Sequence, residues 1–203
     1  MTLAVTGPFA CGKSTFVRML GGLGAETVSA DGLVHELLAE DPATVSAVVE
    51  RFGEEVLGEG GVDRDALSRA VFGDPEALQD LEGILHPLVR RETDRRAAAS
   101  EAELFVAEIP LLFEGGRGEQ FDLTVAVTAP EERRRAWAAE RGVDEGKRRA
   151  IEERQLSGEE KARRAGLVVA NDGDLYRLEE QARKLVEKVI GRKFSDGPGQ
   201  EEE

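Results

Sequence analysis

Nine residues that follow the first apolar run, Gly7-Pro8-Phe9-Ala10-Cys11-Gly12-Lys13-Ser14-Thr15, match the spacing G-x-x-x-x-G-K-[ST]. This spacing holds phosphate. Backbone N–H groups of such a loop converge on polyphosphate oxygens, and the helix behind it turns its positive end toward the same anion. Lys13 is then placed for the β and γ phosphates of a nucleoside triphosphate and Ser14 for Mg²⁺, with Ala10, Cys11, Gly12 and Thr15 completing the cradle. Residue usage supports the reading. The chain has 21 arginines and 6 lysines, and Lys13 is the only lysine before Lys147. A compact, flexible ammonium stands where a planar guanidinium fits badly.

Asp31 closes the run Val28-Ser29-Ala30-Asp31. Ligands of open parallel sheets bind at the carboxyl ends of the strands. A carboxylate there can take a proton from an attacking hydroxyl, hold magnesium through water, or N-cap a helix from Gly32 to Ala39. Charge marks a third region. Between Glu131 and Arg164 there are eleven Lys or Arg and nine Asp or Glu, a net of +2, so the remainder of a chain of net charge −14 carries −16. Such a basic segment suits contact with an anion, and equally a solvated helical face.

The elements that must position these groups are visible as apolar runs at Leu3 to Val5, around Thr27 and Val28, at Leu104 to Ile109, Leu123 to Val127 and Leu167 to Val169. Helical periodicity fills most of the intervals, which predicts an α/β fold with a parallel sheet. Asp41-Pro42 and Asp74-Pro75 read as capped helix starts, and Thr128 with Glu131 as a capping box around Pro130. The long interval after the second strand carries helical pattern at Val45 to Phe52, Ala66 to Phe72, Ala77 to Leu85 and Leu88 to Ala99. An insertion of that length predicts a helical subdomain that covers something. The expected organisation is one domain over 1–190, with its core at 1–40, 103–130 and 165–190. A helical insertion spans 41–102, a helical lid 131–164, and a disordered tail 191–203.

With 203 residues, 40% of them hydrophobic and 33% charged, the composition fits one globular domain. The acidic balance argues against a general nucleic-acid surface, which needs a basic face. No apolar run approaches the roughly 20 residues of a membrane span, and Met1 leads straight into a core strand, so no membrane partner and a cytoplasmic location are expected. A single cysteine excludes an intramolecular disulfide, and with two histidines it argues against structural zinc. Within the loop, Cys11 is either a thiol made oxidisable by Lys13 and the helix end, or a buried inert one.

Beyond the loop and Val28-Ser29-Ala30-Asp31, further pieces occur in order. They are Val62-Asp63-Arg64-Asp65-Ala66-Leu67 with Val71-Phe72-Gly73-Asp74, Leu81-Glu82-Gly83-Ile84-Leu85-His86-Pro87, Glu108-Ile109-Pro110-Leu111-Leu112-Phe113-Glu114, Gln155 with Glu160-Lys161, and Asn171-Asp172-Gly173. Together with the loop they make the chain resemble the dephospho-coenzyme A kinases from about residue 1 to 190. The resemblance implies a three-layer P-loop kinase fold with a helical acceptor-binding subdomain and a helical lid. It implies transfer of the γ-phosphoryl group of ATP, with Mg²⁺, to the ribose 3′-hydroxyl of dephospho-coenzyme A, giving coenzyme A and ADP.

In that frame Asp31 is the carboxylate that orients the hydroxyl and takes its proton, and Arg141 is the lid arginine on the transferring phosphate, ahead of Arg135 and Arg148. Arg64, His86 and Glu114 are expected toward the acceptor, and Asn171 beneath the adenine. Asp63-Arg64-Asp65 also reads as a plain capped helix start, and His86-Pro87 as a break between two helices. Three departures from the family's habit stand out: Ser29 in place of a second aspartate, His35 in place of arginine, and Pro8-Phe9 in place of smaller residues. The competing readings are another small-molecule kinase, acting on a nucleoside monophosphate or a sugar, and a non-catalytic nucleotide-binding P-loop protein. A guanine-nucleotide switch would carry Asn-Lys-x-Asp, which Asn171-Asp172-Gly173 is not. A monomer is favoured.

Overall fold

The computed structural model describes residues 1–191. The elements begin β1 (Thr2–Thr6), α1 (Lys13–Gly22), β2 (Glu26–Ser29), α2 (Ala30–Glu40), α3 (Pro42–Phe52), β3 (Leu57–Gly58), β4 (Gly61–Val62) and α4 (Arg64–Val71). They continue α5 (Pro75–Ala99), β5 (Phe105–Glu108), β6 (Leu123–Thr128), α6 (Glu131–Glu140), α7 (Glu145–Glu153), α8 (Gly158–Arg164), β7 (Leu167–Ala170) and α9 (Leu175–Ile190). The chain forms two compact units, one of Met1–Thr27 with the chain from Glu101 onward, the other of Val28–Ser100. The expected disordered tail lies outside the described residues except for Gly191, whose left-handed backbone (φ 69°) caps α9.

The first unit is built on a sheet of order β2-β5-β1-β6-β7, which the chain leaves along β2. β1 pairs in parallel with β5, Val5 opposite Glu108, and with β6, Thr6 opposite Ala126; β6 pairs in parallel with β7, Thr128 opposite Ala170. Leu3, Ala4 and Val5 of β1 are fully buried, as a central parallel strand covered on both faces requires. Phe16, Val17 and Leu20 of α1 and Leu178, Ala182, Leu185 and Val186 of α9 recur at helical spacing and fill the same core. Thr128 does not cap α6 as the sequence suggested. It is the last residue of β6, its carbonyl accepts the Asn171 N–H at 2.7 Å, and Pro130 takes the N-cap position with no side-chain bond. Strand pairing has claimed the residue that the capping box needed.

The second unit has its own core of Leu38, Val48, Phe52, Val56, Val62, Leu67, Ala77, Leu81 and Leu85. The expected insertion began at residue 41, but the compact unit begins at Val28, because α2 packs on α3, β4 and α5. The β3–β4 hairpin was not anticipated, since two residues a strand show no alternation. Asp41 and Asp74 cap α3 and α5 as predicted, accepting the Thr44 N–H at 2.9 Å and the Glu76 and Ala77 N–H groups at 3.0 Å. Asp31 is not a cap. The Ser29 hydroxyl accepts the Gly32 N–H at 2.9 Å, and Asp31 sits in the first turn of α2 with its side chain exposed.

His86-Pro87 does not separate two helices, for α5 runs through it. Ala77, Leu81, Leu85, Val89 and Thr93 form one buried face at four-residue steps, and burying it outweighs the bond that Pro87 cannot donate. Gly83, whose carbonyl lacks that donor, and Pro87 are both exposed, so the defect faces water. Nearby, the Glu92 carboxylate accepts from Arg95 at 2.7 Å and from Arg96 at 2.8 Å, which holds its pKa down at about 2.

Two outcomes follow from α5. Pro87→Ala restores the missing N–H and is expected to stabilise the protein by about 1–2 kcal/mol, the helical gain less the loss of proline's restraint on the unfolded chain; the urea midpoint should rise. Because the Glu92 pKa is depressed on folding, its contribution is full above the ordinary carboxylate value of 4.5 and is lost as pH falls toward about 2. Glu92→Gln should flatten that part of the acid limb in thermal melts, less so in high salt, since Arg95 is exposed.

Candidate active site

The turn from β1 into α1 is fixed by close neighbours on the same unit. Gly7 (φ 151°) lies so near β6 that a Cβ would stand 2.2 Å from the Val127 carbonyl oxygen, and Gly12 (φ 94°) so near Asn171 that one would stand 2.3 Å from its Nδ2. Any side chain at either position would collide and would be strained besides. Asn171 is buried and its Nδ2 donates to the Cys11 carbonyl at 3.0 Å, tying the loop to the end of β7. Lys13 is 8% exposed and its Nζ donates to the Pro8 carbonyl across the loop at 2.9 Å. Cys11 is fully buried, and that burial raises its thiol pKa against the opposing pull of Lys13, which selects the inert reading over the oxidisable one.

Oxygen and nitrogen groups gather behind the first turn of α1. The Ser14 hydroxyl donates to Glu108 Oε1 at 2.8 Å, and the Glu108 side chain comes off the buried end of β5. Lys161 of α8 is 0% exposed; its Nζ meets Glu114 Oε1 at 2.7 Å and donates to the Pro110 carbonyl at 2.5 Å. Burial lowers its pKa, Glu114 works against that, and the charge of Lys13 adds to it. Glu114 Oε1 also accepts the Leu156 N–H at 2.7 Å. The carboxylate that the resemblance directed toward the acceptor thus fastens the segment from Leu156 to Lys161.

The three arginines that the resemblance places in a lid differ in their surroundings. Arg148 is buried between Glu145, at 2.7 Å, and Glu152; hydrogen bonding to Glu145 first, and Glu152 after it, pushes its pKa up. Arg135 pairs with Glu131 at 2.7 Å on an exposed face. Arg141 is exposed and without a partner among the described residues, and it lines a cleft of about 360 Å³ with Gly12, Thr15, Trp137, Asn171, Gly173, Asp174 and Leu175. That cleft thus joins the end of the phosphate loop, the C-terminal end of α6 and the turn after β7. The sequence reading missed Trp137, although it lies one helical turn before Arg141 and is the chain's single tryptophan. It also missed Arg134, which pairs with Glu152 and donates to the Phe9 carbonyl at 3.4 Å, because three consecutive arginines hide which one faces inward.

The remaining predicted residues belong to the second unit. The Asp31 side chain has no hydrogen bond or ion pair among the described residues, and Ser29 caps the helix. Arg64 is the first residue of α4, capped by Asp63, and its Nη1 donates to His35 Nδ1 at 2.9 Å. His86 is exposed on α5.

Comparison with known proteins places this arrangement. The family model for dephospho-CoA kinase matches residues 1–177. A dephospho-CoA kinase of Syntrophotalea carbinolica is 36% identical over 195 residues, which cover 94% of this chain and 92% of the relative. The crystal structure of a Thermus thermophilus protein is 35% identical, with a TM-score of 0.78 over 93% of this chain and 97% of that one. Dephospho-CoA kinase from Campylobacter jejuni, 24% identical, shares the fold with a TM-score of 0.64 over 93% of this chain and 96% of its own. The α/β fold with a parallel sheet that the alternation of strands and helices predicted is the one these chains share. A match over most of the length, in sequence and in fold, shows that the chain belongs to the dephospho-CoA kinase family.

Proposed function

We propose that the chain phosphorylates the ribose 3′-hydroxyl of dephospho-coenzyme A with ATP, giving coenzyme A and ADP. The observation that carries the reading is a glycine-bounded phosphate loop opening α1 at a cleft lined by an unpaired arginine, in a chain of this family. In the reaction the acceptor oxygen forms a bond to the γ-phosphorus as the bond from that phosphorus to the bridging β–γ oxygen breaks. ADP leaves with the electron pair, and the hydroxyl proton passes to a base.

Lys13 exchanges the Pro8 carbonyl for oxygens of the β and γ phosphates. Arg141 meets the charge spread over the transferring group. Asp31 is assigned the hydroxyl proton, for which an exposed carboxylate not consumed by capping is suited. Ser14 Oγ and Glu108 Oε1, hard oxygens 2.8 Å apart, fit Mg²⁺, which takes few protein ligands and keeps water and phosphate for the rest. Bound there, the ion would offset phosphate charge. Asn171 shapes the loop from behind, while Arg64 with His35, and His86, are proposed to face the acceptor's phosphates and adenosine. A cytoplasmic monomer is part of the same proposal. Among the described residues no helix is long and apolar enough to cross a membrane.

A coupled assay of ADP release tests the reading. ADP should appear with dephospho-coenzyme A and Mg²⁺-ATP, and release stimulated instead by a nucleoside monophosphate or a sugar would overturn the acceptor assignment. Asp31→Asn should leave ATP binding intact and lower kcat by about 10²- to 10⁴-fold. Arg141→Ala should lower turnover by about 10²-fold or more; near-normal turnover would remove Arg141 from the mechanism.

A further inference from the structure

We propose that a groove between α2, α3 and the β3–β4 hairpin holds the uncharged pantetheine arm of the acceptor, a binding site that lies wholly within the second unit. The inference rests on the kinase reading and deepens it on the acceptor's side. The groove has a volume of about 370 Å³, within the range of small-molecule sites. It is lined by apolar side chains, Ala39, Val45, Val49 and Leu57 among them, with two polar ones, Glu40 and Ser46. Val45 and Val49 stand one turn apart on α3 and are half-buried, and Leu57 is 51% exposed, so the walls keep apolar surface open to a ligand.

The position of the groove along α2 points to its occupant. Asp31, His35 and Ala39 follow at four-residue steps, each about 6 Å of rise beyond the last. His35 Nδ1 accepts from Arg64 Nη1 at 2.9 Å, and Arg64 comes two residues after Val62, which pairs with Leu57 across the hairpin. The hairpin thus carries both the root of Arg64 and one wall of the groove. Dephospho-coenzyme A has its parts in matching order. After the ribose hydroxyl comes a diphosphate, and then an arm that starts with two methyl groups on one carbon and continues through two amides to a thiol. With the hydroxyl at Asp31, the diphosphate falls at His35 and Arg64 and the arm at Ala39. Charge agrees with this placement. No Lys, Arg or His lines the groove, so it offers nothing to an anion and suits an uncharged chain. The side chains of Glu40 and Ser46 have no hydrogen bond or ion pair among the described residues. They are available to an amide N–H and an amide carbonyl, the few polar groups by which an apolar site orients its ligand.

Steady-state kinetics on the wild type and two variants test the placement. Leu57→Asp puts a charge in an apolar wall, and Ser46→Phe fills the groove from an exposed position of α3. Each should raise the KM for dephospho-coenzyme A by about tenfold or more, the effect of denying burial to two methyl groups. The KM for ATP and kcat should stay within about twofold of wild type, as for a loss of binding that ground state and transition state share. Pantetheine alone, without the nucleotide, should inhibit competitively against dephospho-coenzyme A and not against ATP, and both variants should relieve it. The groove is overturned if a folded variant keeps the wild-type KM for dephospho-coenzyme A, if the KM for ATP rises as much, or if pantetheine does not compete with the acceptor. In each of those cases the wild type still turns over and the kinase reading survives. Should Leu57→Asp fold poorly in circular dichroism, Ser46→Phe decides. A wild-type chain that releases no ADP with dephospho-coenzyme A loses the acceptor reading and the groove with it.

Discussion

Everything in the first unit depends on how closely the chain can turn between β1 and α1. The Val127 carbonyl at one end of the turn and the Asn171 amide at the other leave no room for a Cβ at Gly7 or Gly12. These neighbours come from β6 and from the end of β7, so the loop is clamped by the same strands that build the sheet. Pairing of β6 with β7 up to Thr128 and Ala170, and the Asn171 N–H on the Thr128 carbonyl, hold that clamp in register. A phosphate site made of backbone works only if the backbone is already in place, and here sheet pairing sets it.

Charged groups carry the arrangement outward. Ser14 and Glu108 connect the first turn of α1 to the end of β5, and Glu114 joins the chain after β5 to Lys161 and to the Leu156 N–H. A fully buried ammonium is costly unless it is paired, and Lys161 has both a carboxylate and the Pro110 carbonyl. The same carbonyl accepts from Thr6 at the end of β1, which brings the root of α8 to the threshold of the loop. Arg134 reaches Phe9 from the other side of the lid segment while Glu152 holds it and Arg148. Most of the cations between Glu131 and Arg164 are thus partnered, whereas the side chains of Arg141 and Lys147 have no partner among the described residues, and of these two Arg141 lines the cleft.

How legible these features were in the sequence depended on how local their causes are. The inner strands β1, β5 and β6 were visible because a strand covered on both faces is largely apolar, the edge strands β2 and β7 were visible only as short runs, and Asp41 and Asp74 were visible because a cap acts within three residues. Pro87 misled because its local preference lost to a buried face extending ten residues on one side and six on the other. Of the three roles the sequence left open for Asp31, capping falls away because Ser29, two residues earlier, has the extended backbone that the position needs. The bonds of Glu114 to the Leu156 N–H and to Lys161 were not legible in the sequence, since these partners lie some forty residues further along the chain. Trp137 was overlooked because nothing in its immediate surroundings signals a cleft; only the return of the chain at Gly173 and Leu175 creates one.

The two apolar cores are separate, and the chain passes between the units at only two points, Thr27 to Val28 and Ser100 to Glu101. The helices between those points carry the second core, and no residue of it belongs to the first. Selection can therefore remodel the second core by degrees while the residues of the phosphate loop, which lie in the first unit, stay as they were. The architecture is in this sense a chassis with an exchangeable fitting, and its capacity to diversify comes from where the polypeptide crosses rather than from any residue in the loop.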